Sequence, residues 1–156
     1  MSEPFSVAPG EGDARWVTGS LDTIKATAAQ TGGAFGLIES TEKRGDAPPL
    51  HVHENEDEAY YVIEGELTFF LGDQSLAASA GAFIFAPRSI PHTYRVDSER
   101  SRILAINVPG GWEGFFAEAG TPAGSTNEPP VEEPDYESLG ALAARRGVTV
   151  LGEPPA

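Results

Sequence analysis

The sequence predicts an all-β fold, a sandwich or barrel of short strands. Apolar runs rich in β-branched and aromatic residues recur along residues 15–108. Glycine- or proline-containing turn signals separate these runs at intervals of roughly 8–12 residues. The chain also contains 18 glycines and 13 prolines, which favour many turns over a helical bundle.

The predicted strands follow one another with little between them. Runs with strand composition span residues 21–28, 34–40, 58–65, 66–72, 82–86, 92–96 and 102–108. Glu64 and Gly65 lie between two of these apolar runs, which predicts a tight β-hairpin at that point. No internal repeat is visible, so we expect one barrel and not two in tandem.

We divide the chain into an N-terminal arm (1–14), a barrel (15–110) and a C-terminal tail (111–156). The arm is polar and contains several glycine and proline residues, as chain termini often do. The tail differs from the barrel in composition, and we expect it to pack on the barrel or on a partner chain and to help cover the barrel mouth.

The tail is predicted to be partly helical. Residues 112–120 favour a short helix. Asp135 is a suitable N-cap for a second helix that runs to Arg146, and Gly147 is a suitable stop. Residues 148–152 have strand composition.

Charge and composition exclude several classes of partner. The net charge is −14, with only ten lysine and arginine residues, so we expect no nucleic-acid partner and no binding to anionic membranes. The absence of cysteine excludes disulfides and thiolate chemistry. No secretory signal and no apolar stretch of about 20 residues is present, so a cytoplasmic location is the expectation.

The three histidines of the chain fall where one barrel could bring them together. His51 and His53 are two residues apart, so in a strand both side chains point to the same face. Glu58 begins the next apolar run after a short turn. His92 begins a later strand and can complete the set if the sheet folds back.

These four residues form a candidate site for one divalent transition metal. Three neutral imidazoles and one carboxylate suit iron, manganese, cobalt, nickel, copper or zinc, and they suit calcium or magnesium poorly. Four protein ligands on an octahedral metal leave positions open for a substrate and a small co-substrate. The ligand set does not select one metal among these.

The first half of this pattern resembles the cupin superfamily. Its first motif is a glycine, five residues, His-x-His, three or four residues, Glu, six residues and a glycine. Gly45, His51, His53, Glu58 and Gly65 match every defined position. The resemblance implies a double-sheet jelly-roll barrel, also called a double-stranded β-helix.

The second cupin motif is matched less completely. Gly81, Pro87 and His92 occupy their expected places. Ser89 replaces a glycine and Val96 replaces an asparagine, and neither position is a metal ligand in the family. We therefore expect Ser89 to adopt the turn conformation that glycine usually makes.

The chain further resembles small bacterial single-domain cupins related to quercetin 2,3-dioxygenase. The resemblance runs through residues 48–73 and 80–96 and includes part of the tail. It implies a metal that holds a deprotonated flavonol and O2, with Glu58 as both ligand and catalytic base. It also implies ring opening with loss of carbon monoxide, and a homodimer.

A flat, oxygenated aromatic substrate would need an apolar pocket. Tyr60 follows Glu58 on the same strand face, and Tyr94 follows His92 in the same way. Together with Phe35, Phe69 and Trp112, these side chains are the candidate substrate-binding residues.

Two other functions use the same residues. An isomerase, cyclase or oxygenase of a polyketide or antibiotic pathway could hold the same metal. A non-enzymatic cupin that binds a small molecule is the second alternative, although the sequence contains no DNA-binding region. Oxygen uptake during turnover would separate the first of these from a dioxygenase.

Overall fold

Two antiparallel sheets form the protein in the computed structural model, which describes residues 2–124 and 128–156. Residue 1 of the predicted arm and residues 125–127 of the predicted tail lie outside the described residues. The strands are β1 (Asp13–Val17), β2 (Ser20–Ala26), β3 (Gly36–Lys43), β4 (Leu50–His53), β5 (Asp57–Glu64), β6 (Glu66–Leu71), β7 (Gln74–Ser79), β8 (Phe83–Ala86), β9 (His92–Val96), β10 (Arg100–Val108), β11 (Thr121–Pro122) and β12 (Val148–Gly152), and the helices are α1 (Glu113–Ala119) and α2 (Tyr136–Arg145).

The larger sheet has the strand order β11-β1-β2-β3-β10-β5-β8, and the smaller has the order β12-β4-β9-β6-β7. Neighbours in each sheet are antiparallel, and most pairs join strands that are distant in sequence. The prediction of an all-β, two-sheet barrel with a partly helical tail is confirmed.

The apolar core fills the space between the sheets at one end. Strand alternation produces it, because every second side chain of β5, β6, β9 and β10 points inward. Val62, Leu67, Phe69, Val96 and Ile103 are almost fully buried there. Burying a side chain of this size typically contributes about 1.5–3 kcal/mol, so this end holds the two sheets together.

The predicted hairpin at Glu64 and Gly65 is wrong. Strands β5 and β6 belong to different sheets, so the chain crosses from one sheet to the other at this turn. Gly65 has a φ of +96°, and a Cβ there would lie 2.5 Å from the backbone oxygen of Arg100. The turn residues indicate a sharp change of direction, but distant strand partners decide which sheet each strand joins.

The two ends of the chain both contribute strands. β1 begins at Asp13, inside the predicted arm, and β12 pairs with β4 of the smaller sheet. The two predicted tail helices are present. Asp135 caps α2 by accepting a hydrogen bond from the Ser138 amide at 3.1 Å, and Gly147 follows the helix with a φ of +77°. Among the described residues, no helix combines the length and apolarity needed to cross a membrane.

Candidate metal centre and its cavity

The structure brings the four predicted metal ligands together inside the barrel. His51 and His53 lie on β4, Glu58 lies on β5 of the opposite sheet, and His92 lies on β9, where it pairs directly with His51. All four side chains are buried, and one ligand atom from each lies within 4.8 Å of the others. The i, i+2 spacing of His51 and His53 places both side chains on the inward face of β4, as the sequence predicts.

The ligand atoms of the histidines converge on one oxygen of Glu58. The Oε2 atom lies 2.9 Å from Nε2 of His92, 3.1 Å from Nε2 of His53 and 3.9 Å from Nε2 of His51. Each imidazole therefore presents the same nitrogen to the centre of the cluster.

The other nitrogen of each imidazole is held from outside the cluster. Nδ1 of His51 donates to the backbone oxygen of Pro49 at 2.7 Å, and Nδ1 of His92 donates to that of Ile90 at 3.0 Å. A carbonyl oxygen can only accept, so these contacts assign the hydrogen to Nδ1 and leave the Nε2 lone pair free to bind a metal.

His53 is held by a carboxylate. Its Nδ1 hydrogen bonds to Glu56, a side chain that is only 4% exposed. Carboxylate–histidine pairs of this kind orient the ring and raise the basicity of the other nitrogen in metal sites. Glu56 was not among the predicted site residues; its three-residue separation from His53 was the available signal.

Electrostatics favour an ionised Glu58 beside a protonated His53. Burial alone would raise the pKa of Glu58, but interaction with the three imidazoles holds that pKa well below its usual range. Burial alone would lower the pKa of His53, but its hydrogen bond to Glu56 and the nearby negative charge of Glu58 outweigh this and raise the pKa to about 9. Burial lowers the pKa of His51.

The residues fit a divalent transition metal. Nε2 of His53 is buried and has no hydrogen-bond partner of acceptable geometry within the described part of the chain. A buried polar atom without a partner typically destabilises a protein by about 1–3 kcal/mol, and a metal ion bound at this point would remove that penalty. The nitrogen and oxygen donors match the preferences of iron, manganese, cobalt, nickel, copper and zinc.

A cavity of about 880 Å³ opens from the cluster. Its wall includes His51, Glu58 and aromatic side chains from the barrel and from α1. Residues of α2 and β12 also line it, so the C-terminal part of the chain helps to form the cavity wall. The volume lies in the range of roughly 300–1,000 Å³ that is typical of small-molecule sites.

Three of the five predicted substrate-binding residues line this cavity: Tyr60, Tyr94 and Trp112. Phe69 is 0% exposed and packs against the two tyrosines, with ring centroids 5.1 Å and 5.3 Å away, so it supports the wall from behind. Phe35 is 37% exposed and does not line the cavity, because it precedes β3 in a surface loop.

The two departures in the second motif have simple structural consequences. Ser89 has a φ of +67°, in the left-handed region, as expected for a residue in the place of glycine. Its amide donates to the backbone oxygen of His53 at 2.8 Å. Val96 is buried in the apolar core, where it packs without needing a polar partner.

Comparison with known proteins agrees with this architecture. A family model described as a cupin domain matches residues 38–107. Quercetin 2,3-dioxygenase of Bacillus subtilis is 35% identical over 120 residues, which cover 76% of this chain and 35% of that protein. Quercetin 2,3-dioxygenase of Aspergillus japonicus is 27% identical over 111 residues, which cover 67% of this chain and 32% of that protein. The chain thus spans about a third of the length of these two relatives.

Solved structures share the fold. KdgF from Halomonas sp. superposes with a TM-score of 0.64 at 20% identity, covering 72% of this chain and 99% of that protein. An RmlC-like cupin from Shewanella frigidimarina superposes with a TM-score of 0.62 at 17% identity, covering 72% of this chain and 96% of that protein. At this level of identity the likeness concerns the barrel alone.

Proposed function

Because this chain contains a cupin domain and resembles quercetin 2,3-dioxygenase, we propose that it is a metal-dependent dioxygenase. Its substrate would be a flavonol or a related enolisable aromatic compound, which it would cleave with O2. The observation that carries the proposal is a cluster of three histidines and Glu58, of which His51 and Glu58 line an aromatic-walled cavity.

The metal would be held by His51, His53, Glu58 and His92. When bound, a divalent transition metal would supply positive charge that favours the ionised form of an enolic hydroxyl, together with open positions for O2. The protein residues around it keep the imidazoles oriented through their Nδ1 hydrogen bonds.

Glu58 is the proposed catalytic base. Its carboxyl group lies in the cavity wall, and its low pKa keeps it ionised at neutral pH. An ionised carboxylate can accept the proton of an enolic hydroxyl that comes within hydrogen-bond distance. Of the four clustered residues, Glu58 is the carboxylate, so the others can bind but are not suited to this proton transfer while their Nε2 atoms are committed to a metal.

Aromatic residues would shield the reaction from water and contact the flat face of the substrate. Trp112 packs edge-on against His53, with ring centroids 5.1 Å apart, and stacks on Phe115 at 4.5 Å. Both side chains line the cavity next to the cluster. A large apolar surface at this point suits a planar aromatic ligand and excludes solvent.

The test is turnover by protein reconstituted separately with iron, manganese, cobalt, nickel, copper or zinc. We expect at least one form to consume quercetin in air, with uptake of one O2 and release of one carbon monoxide per flavonol. His92→Ala, treated identically, should lose most of its metal and its turnover. Conversion of a substrate without O2 uptake would favour the isomerase or cyclase function instead.

We also propose a homodimer, by resemblance to the cupin family. Sedimentation or light scattering should give twice the 16.4 kDa mass of the chain. A mass of one chain across the working concentration range would contradict this.

A further inference from the structure

A second polar cluster lies in the same cavity. Asp22 on β2, Ser40 and Glu42 on β3, and Tyr94 on β9 line the cavity, and Ser101 on β10 contacts Glu42 without lining it. Alternation along the strands turns each of these side chains inward, where a barrel normally places apolar residues.

The two carboxyl groups are deeply buried but still border the cavity. Asp22 is 5% exposed and Glu42 is 7% exposed. Ser40 donates to Oδ1 of Asp22 at 2.5 Å, and the Tyr94 hydroxyl donates to Oε1 of Glu42 at 2.7 Å. The Ser40 hydroxyl bonds Oδ1 of Asp22 and not Oδ2, the second oxygen of that carboxyl group.

The polar cluster is separated from the metal centre along the strands. Asn107 pairs with Glu58 on one side and with Gly36 on the other, so Gly36 marks the level of the metal centre on β3. Asp22 pairs with Ser40, four residues further along β3. At about 3.3 Å per residue this is a distance of roughly 13 Å along the strand direction. One elongated ligand could therefore contact both clusters.

The cavity wall is acidic. Its carboxyl groups belong to Asp22, Glu42, Asp46, Glu58 and Glu153. No lysine or arginine of the described chain lines the cavity. A ligand with a carboxylate, phosphate or sulfate group would find no lysine or arginine there to pair with its charge, so away from the metal centre the cavity favours a neutral ligand.

Burial also changes what the two carboxyl groups can do. It raises the pKa of Asp22 to about 7 and that of Glu42 to about 8. A substantial part of each group is therefore protonated near neutral pH. A protonated carboxyl group donates one hydrogen bond and accepts others, which matches the hydroxyl groups of a neutral ligand.

A purely structural role explains the pair of Asp22 and Ser40 less well. Strands β2 and β3 are already joined by their backbone ladder, so the bond between Ser40 and Asp22 adds little to the sheet. Burying a polar group typically destabilises a protein unless it is fully hydrogen-bonded, and an apolar pair would fill this space at lower cost.

We propose that Asp22 and Glu42 form a specificity site that hydrogen-bonds the ring hydroxyls of a neutral, polyhydroxylated aromatic substrate whose enolic end lies at the metal centre. This inference rests on the proposed function for the enolic end. The specificity site selects substrates by hydrogen bonding at one end of the cavity, while the metal centre performs the chemistry at the other end.

Binding to the metal-loaded protein without oxygen tests the inference apart from turnover. The probes are quercetin, luteolin, which has the same ring hydroxyls but lacks the 3-hydroxyl, and 3-hydroxyflavone, which lacks the ring hydroxyls. We expect Glu42→Leu and Asp22→Leu each to weaken quercetin and luteolin binding by about tenfold, the loss of about one good hydrogen bond. Binding of 3-hydroxyflavone should stay within about twofold, since it makes no contact there.

Matched variants separate hydrogen bonding from folding. Glu42→Gln and Asp22→Asn keep hydrogen-bonding capacity and should restore most of the affinity lost in the leucine variants. Glu39→Gln, on the outer face of the same strand, should change nothing. If the leucine variants do not fold, the affinities of the wild type for two probes still test the inference. We expect the wild type to bind quercetin at least about tenfold more tightly than 3-hydroxyflavone.

Several outcomes would overturn the inference: equal losses for all three probes, no loss for any, equal wild-type affinity for quercetin and 3-hydroxyflavone, or no flavonoid binding. If binding discriminates as expected but quercetin is not consumed in air, the proposed function fails and the specificity site stands. If wild type and Glu42→Leu consume quercetin with the same KM and kcat, the specificity site fails and the proposed function stands.

Discussion

Nδ1 of His53 donates its hydrogen to the carboxylate of Glu56, three residues further along the chain. This bond orients the imidazole so that Nε2 points at Glu58, 3.1 Å away. A side chain outside the proposed ligand set therefore controls the direction of one proposed ligand.

Glu56→Gln should weaken metal binding by about 10–100-fold, the usual effect of losing such a partner. The amide can still accept a hydrogen bond but carries no charge to raise the basicity of the ring. Competition with a chelator of known affinity measures the change. Glu54→Gln, an exposed neighbour in the same turn, is the control and should bind metal as the wild type does. Equal affinities for both variants would contradict the role of Glu56.

Metal should leave the protein as the pH falls. Ligating histidines must be unprotonated, and the pKa of His53 is about 9, so protons already compete with the metal at neutral pH and do so more strongly as the pH falls. Elemental analysis after dialysis at a series of pH values measures the occupancy. Full occupancy well below about pH 4 would mean that these residues are not the ligands.

The buried carboxyl groups should make the protein less stable as the pH rises. Unfolded, Asp22 and Glu42 titrate near ~3.9 and ~4.3. Folded, their pKa values are about 7 and about 8, raised mainly by burial. The folded state binds more protons between these limits, so stability that is present at low pH is lost as the pH rises through the folded values.

The substitution Glu42→Gln removes the contribution of Glu42 to this dependence of stability on pH. The variant should gain stability relative to wild type between pH 5 and pH 9, by up to about 1.4 kcal/mol per pH unit while one extra proton is bound. Denaturant unfolding at each pH measures the difference. Glu39→Gln is the control. A difference from wild type that is the same at pH 5 and pH 9 would contradict the burial argument.

The tail should stabilise the metal centre. Strand β12 pairs with β4, placing Val148 opposite His53 and Val150 opposite His51. Deletion of residues 134–156 should therefore lower both the unfolding temperature and the metal occupancy. Unchanged stability, oligomeric state and activity after this deletion would make the tail an appendage.

A milder change tests the same packing. Leu142 is buried on α2, and Leu142→Ala should lower the free energy of unfolding by about 2–5 kcal/mol. Leu151 lies half-exposed near the end of β12 and provides the control. Leu151→Ala should change the free energy of unfolding by less than about 0.5 kcal/mol.

The candidate metal centre was predictable because its signals are local. His51 and His53 share a strand face by simple alternation, and the spacing to Glu58 matches a specific motif. The apolar alternation of β5 and β9 likewise placed Tyr60 and Tyr94 inside the barrel. For these residues, the position in the chain already determines the direction of the side chain.

Other features depend on contacts between distant parts of the chain. The turn at Gly65 could be recognised as a turn, but whether its strands pair with each other is decided by β10 and β9. Phe35 has the composition of a pocket residue, yet it lies before the strand begins. Asp22 lies on the same strand face as Ile24, and Glu42 lies on the same face as Ser40 and Ile38, so the sequence pattern indicates that both carboxyl groups point inward. The pattern does not show that β2, β3 and β9 bring these groups together.

The most direct test of the account is the turnover of Glu58→Gln at full metal occupancy. Three histidines remain in this variant, so we expect it to keep its fold and to take up metal on reconstitution. Its amide cannot accept the substrate proton, so flavonol consumption and O2 uptake should fall by about 10²–10⁴-fold. Rates near those of the wild type at equal metal content would contradict the assignment of Glu58 as the catalytic base.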